Sequence, residues 1–92
     1  MAIKKEILDN KGNTGNYHRA NHILVMSNKD HARVRCYIDT YKTEESFNKG
    51  FEKTESTALS FTLDKDFSGN IFTEIYSRAK EMQKFKSAED LI

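Results

Sequence analysis

The sequence predicts an α+β domain: a small antiparallel four-stranded sheet followed by one amphipathic C-terminal helix, in the order β-β-β-β-α. Three observations carry this expectation. His31 to Tyr41 alternates with period two, Ala32, Val34, Cys36 and Ile38 against Arg33, Arg35, Tyr37 and Asp39. Ser56 to Leu63 alternates in the same way, with Thr57, Leu59, Phe61 and Leu63 on one side. From Asn70 to Phe85 the period becomes helical: Ile71, Phe72, Ile75, Tyr76, Ala79, Met82 and Phe85 fall on one half of a cylinder. A strand with one apolar and one polar face fits an antiparallel sheet, because parallel sheets are usually buried on both faces.

Taken in order, Ala2 to Leu8 reads as the first strand, with Ile3 and Ile7 on one face and Lys5 between them. The segment Asp9-Asn10-Lys11-Gly12-Asn13-Thr14-Gly15 is turn chemistry, since Gly and Asn tolerate positive φ. Asn16 to Met26 is the second strand. Simple alternation puts Tyr17, Ile23 and Val25 on one face and Leu24 and Met26 on the other. Apolar residues concentrate at its C-terminal end, which predicts that this end is the more buried. Asn28-Lys29-Asp30 makes a short turn into the third strand.

Lys42 to Glu55 is polar and acidic and reads as a loop. Phe47 and Phe51 stand one helical turn apart there, which allows a short helix that Gly50 weakens. Asp64 to Gly69 is the turn into the long helix, with Asp66, Ser68 or Asn70 as candidate caps. Lys80, Lys84 and Lys86 suit the negative end of that helix. The tail from Ser87 to Ile92 either packs through Leu91 and Ile92 or frays. One helix covers two or three strands, so apolar surface on the first two strands is expected to remain for a partner. The opposite face carries Arg33, Arg35, Tyr37 and Tyr41.

Ninety-two residues, 37% of them hydrophobic and 32% charged, make one domain spanning 1–92 with a thin core. The net charge of +1 makes no global case for nucleic acid. Residues 1–42 hold eight basic and four acidic side chains, a net of +4, while 43–92 hold seven and ten, a net of −3. Such a split suits head-to-tail association, although ordinary solvation explains it more simply. The single Cys36 cannot form an internal disulfide, which fits a reducing compartment. No apolar h-region follows the N-terminus, and no apolar run approaches a membrane span. The expected location is therefore the cytoplasm, or a larger particle assembled there.

The motifs for chemistry are weak. Asp64-Lys65-Asp66-Phe67-Ser68-Gly69 opens like a calcium loop, but Ile75 stands where the bidentate Glu belongs. Gly12-Asn13-Thr14-Gly15 matches the GxxG of KH domains, yet it joins two strands rather than two helices. His18 and His22 lie about 13 Å apart along a strand, too far to share a zinc ion. Cys36 falls on an apolar face, which argues against a nucleophilic Cys–His pair. No pair of acids suggests acid–base work. The expectation is a protein that is not an enzyme, with no catalytic residue, metal, cofactor or small-molecule substrate. Lys4, Lys5, Arg19, Arg33 and Arg35, interleaved with Tyr17, Tyr37 and Tyr41, raise a single-stranded nucleic acid surface as an alternative. A solvated sheet face with cross-strand Tyr–Arg pairs is the simpler reading.

Ala2-Ile3-Lys4-Lys5-Glu6-Ile7, followed after the turn by Asn16-Tyr17-His18-Arg19, resembles a set of small proteins from phages and prophages of Gram-positive bacteria, encoded near tail and baseplate genes. Phe85-Lys86-Ser87-Ala88-Glu89-Asp90 is similar to their acidic ending. The resemblance implies a non-enzymatic structural or accessory component of a phage tail or baseplate. Such a component would be made in the host cytoplasm and would act by self-association or by docking on other tail proteins. Tyr17, His18, Arg19, Arg33, Arg35, Tyr37 and Tyr41 are the expected contact surface. An inhibitor of a host protein is a further alternative.

Overall fold

The computed structural model describes residues 2–8, 11–27, 29–64 and 67–91. Five strands form one antiparallel sheet: β1 (Ala2–Leu8), β2 (Thr14–Ser27), β3 (His31–Tyr41), β4 (Glu55–Asp64) and β5 (Glu89–Leu91). Their spatial order is β4-β3-β2-β1-β5. Two helices accompany them, α1 (Glu44–Asn48) and α2 (Ile71–Glu81), with a 3-10 turn at Gln83–Phe85. The antiparallel α+β class is as the alternation predicts. The count of four strands and one helix is not.

The additional pieces have local causes. Thr43 caps α1 by accepting from the Ser46 N–H at 3.0 Å, and Glu44 and Glu45 suit its positive end. At the end of α2, Met82 leaves the helical region with ψ 142°, so the helix stops at Glu81 and Phe85 arrives on the 3-10 turn instead. Glu89–Leu91 of the tail is paired rather than frayed. Ala2 faces Leu91, Ile3 faces Asp90 and Lys4 faces Glu89, which makes the tail an edge strand. Asn70 is the cap of α2, accepting from the Phe72 and Thr73 N–H groups at 2.8 and 3.2 Å. Of the other candidate caps, Ser68 is exposed and Asp66 lies outside the described residues, as do Asp9, Asn10, Asn28, Lys65 and Ile92 of the turns and tail.

The core lies between the sheet and α2. Ile3, Val34, Cys36, Ile38 and Leu63 meet Ile75, Tyr76, Ala79 and Phe85 there. β3 and β4 keep the faces their alternation predicts along a ladder without a register shift, from His31 opposite Asp64 to Thr40 opposite Glu55. β2 does not. Asn21 faces Tyr37 and Leu24 faces Arg35, so His22 and Ile23 together oppose Cys36. This bulge puts His22 at φ 51°, a left-handed conformation. One inserted residue inverts the parity of everything beyond it. Ile23 therefore packs on the core, whereas Tyr17 stands on the opposite face beside Tyr41, not with Ile23 and Val25.

The C-terminal end of β2 is the exposed end, contrary to its apolar character. Leu24, Val25 and Met26 are 53%, 47% and 43% exposed. The eleven residues of α2 span about 16 Å, against about 46 Å for the fourteen of β2. β1 covers only the first part of β2, from Thr14 to His18. Past that point the Ala20 N–H donates to the Tyr76 hydroxyl at 2.8 Å.

Two glycines are required by geometry. Gly12 has φ +84° in the first turn. Gly15 is not a turn residue: it is buried in β2, where a Cβ would collide with the Thr40 methyl.

Candidate functional site: the outer face of the sheet

The face turned away from α2 divides into two halves. One half is covered by the chain itself. α1 brings Phe47 against Tyr17 and Tyr41, with ring centroids 5.5 and 5.0 Å away, and the Arg19 guanidinium lies 4.4 Å over the Phe47 ring. Beside this cluster sits Asp39, 1% exposed rather than in water as its alternation suggests. Asn21 Nδ2 donates to it at 2.9 Å, the Ser56 hydroxyl donates to its other oxygen, and Lys53 Nζ stands 3.5 Å away. The segment after α1 closes over this carboxylate, which alternation within β3 cannot reveal. Asp39→Ala is expected to cost about 1–3 kcal/mol, because its donors lose a charged acceptor. A shift of the urea midpoint measures it, and an unchanged midpoint would make the cluster incidental.

The other half of the face is open. Met26 faces Arg33, Leu24 faces Arg35, and Tyr37 lies between Asn21 and Ala58. Arg33, Arg35 and Tyr37 are exposed, and neither arginine has an ion pair among the described residues. The bulge sets the His22 ring edge-on to Tyr37, with centroids 6.4 Å apart. A shallow groove of about 390 Å³ runs between His22, Leu24, Arg35, Tyr37, Ala58 and Ser60. Two guanidinium groups among Leu24, Met26 and Tyr37, with no carboxylate partner among the described residues, make a surface that is both apolar and basic.

The structure thus splits the predicted contact set. Arg33, Arg35 and Tyr37 share the open half. Arg19 and Tyr41 contact Phe47 of their own chain. Tyr17 and His18 are 6% and 0% exposed and are unavailable as contacts on the folded protein. Tyr17 is covered by α1. His18 lies on the core side, where its Nδ1 accepts from the Thr40 hydroxyl at 2.8 Å and its Nε2 donates to the Lys5 carbonyl at 2.7 Å. Phe85 meets it edge-on at 5.0 Å. Burial lowers the His18 pKa. Leu24, Met26 and His22 are the members that alternation missed. No periodic signal marked them, because the one-residue shift between Asn21 and Leu24 leaves the sequence alternation of β2 itself unbroken.

Cys36 is buried, and burial raises its thiol pKa. His18 sits in the core, His22 in the bulge and His31 at the start of β3. Among the described residues no three His, Cys, Asp or Glu side chains converge as metal ligands would. Asp64 ends β4 and Asn70 caps α2, while Lys65 and Asp66 of the calcium-like segment lie outside the described residues. No helix among the described residues is long and apolar enough to cross a membrane.

The segments that carry the phage resemblance meet in space. β5 pairs with β1 and β1 with β2, and Phe85 packs on His18. Ile3, His18 and Phe85 of these segments form a buried joint. Compared with known proteins, the chain matches no family model, no curated protein and no solved structure.

Proposed function

We propose that this protein is a non-enzymatic phage or prophage component, associated with the tail or baseplate, that works by docking on other proteins. The open half of the sheet face is the observation that carries the docking reading. An apolar surface set with exposed arginines suits a protein partner of complementary shape with acidic groups at its rim. The resemblance of the first two strands and the acidic ending supplies the phage context. Arg33→Glu with Arg35→Glu is expected to weaken binding to tail or baseplate particles by about tenfold or more, with folding retained. Co-sedimentation of the variant with such particles tests this. Binding equal to the wild type would remove that face from the interface.

A single-stranded nucleic acid is the second reading, favoured by Arg33, Arg35 and Tyr37 on one side of one strand. Only Tyr37 of the three strand tyrosines is exposed there, which leaves little to stack a run of bases. Binding that falls steeply with salt would favour nucleic acid. No binding at low salt would end that reading.

A further inference from the structure

We infer that the chain forms a two-fold dimer by pairing β4 with β4 of a second copy, giving one continuous sheet with five strands from each. This rests on the docking reading only in naming a second copy as one partner, and it uses the backbone edge of β4, which borders the open face at Ala58 and Ser60.

The two edges of the sheet are unlike. β5, at one edge, has three residues and carries Glu89 and Asp90, the short and charged form that discourages strand addition. β4, at the other, has ten residues. Between its end residues Glu55 and Asp64 it reads Ser-Thr-Ala-Leu-Ser-Phe-Thr-Leu, with no charge and no proline. It has no bulge in its ladder with β3. Every second residue of an edge strand turns its N–H and C=O to the unpaired side. Among the described residues, no turn or loop backbone group bonds to Ser56–Leu63. Between Glu55 and Asp64, β4 itself carries none of the charges, prolines or bulges that blunt an edge; Arg78 and Lys84 reach Phe61 and Thr57 only with side chains from the helix side.

The occupant that fits best is a second copy. Two β4 strands related by a two-fold axis normal to the sheet are antiparallel, and one residue then faces its own copy. Facing positions must therefore sum to an even number. Glu55 and Asp64 sum to an odd one, so these acids never stand directly opposite. Centring on Leu59 or Ser60 aligns the uncharged run with itself. The outer-face side chains along the seam, Ser56, Ala58, Ser60 and Thr62, are small or polar and exposed, and Leu59 and Phe61 are half-buried on the core side. The net charge of +1 opposes association little. The edges left free by this pairing are the two β5 strands, three residues each and acidic, so growth stops at two copies and the assembly is closed.

Light scattering on the wild-type chain at about 100 µM is expected to give twice 10.7 kDa. The double variants Ala58→Glu/Ser60→Glu and Ala58→Lys/Ser60→Lys are each expected to be folded monomers by circular dichroism and scattering. Both positions are exposed, and either variant places like charges across the seam. Their equimolar mixture is expected to recover the dimer, because opposite charges then face each other whether Leu59 or Ser60 lies at the centre. A monomeric wild type, a dimer that survives either variant, or a mixture that stays monomeric would overturn the inference. Binding to tail particles that depends on Arg33 and Arg35 would stand through all three results, so the two readings fail separately.

Discussion

Phe85→Ala is expected to lower the stability of the fold by about 3–5 kcal/mol, the range for emptying a buried phenylalanine site. Phe85 is 0% exposed on the 3-10 turn and is the largest fully buried side chain among the described residues. It touches His18 edge-on and belongs to the cluster containing Ile3, Ile38 and Ala79. It is also the last core residue before β5, so its loss loosens the pairing of the C-terminal strand with β1. A collapse that fills the space is opposed by the His18 ring, held at both nitrogens. Domains of ordinary stability have only about 5–15 kcal/mol to lose. The urea midpoint should fall steeply, and Phe85→Leu should recover much of it. A Phe85→Ala variant within about 1 kcal/mol of wild type would mean that the 3-10 turn is not part of the cooperative core.

His18→Ala is expected to cost about 2–4 kcal/mol at pH 7.5, by leaving a cavity and two unpaired polar groups. The Thr40 hydroxyl and the Lys5 carbonyl would both lose their partner. The same side chain makes stability depend on pH. Burial opposes protonation of His18, and the backbone carbonyl of Lys5 only partly offsets it. In the unfolded chain the imidazole takes up a proton near its ordinary value of 6.5, while the folded protein resists. The contribution is intact above pH 6.5 and is lost as pH falls below it, by at most about 1.4 kcal/mol per pH unit, until the folded state also protonates. Subtracting the His18→Ala curve from that of the wild type isolates this term from the carboxylates. A difference that does not shrink between pH 7 and pH 5 would refute a neutral, buried His18.

Much of the fold was legible from residue types in order. The alternation of Val34, Cys36 and Ile38, and of Leu59, Phe61 and Leu63, placed two strands and their inward faces. The spacing of Ile75, Tyr76 and Ala79 placed the helix. Period is a local property, and it survives wherever a strand is regular. The bulge at His22 and Ile23 broke it, because an inserted residue is invisible in composition yet inverts every side chain beyond it. That single event moved Tyr17 away from Ile23 and aimed Leu24 and Met26 beside Arg35 and Arg33. The basic part of the candidate site was readable on β3 alone; its apolar part depended on which face β2 turned to its neighbour.

By itself, then, the sequence determined the antiparallel class, the inward faces of β3 and β4, and the open position of Arg33, Arg35 and Tyr37. Only the tertiary structure decided that His18, Tyr17 and Asp39 are interior. Each is covered by a segment distant in the chain: Phe85 on His18, Phe47 on Tyr17, and Lys53 and Ser56 on Asp39. The physical reason is the range of the interactions. Hydrogen bonding within a ladder and the periodicity of side chains are written over a few residues. Burial of a polar group is decided by whichever remote segment arrives to satisfy it.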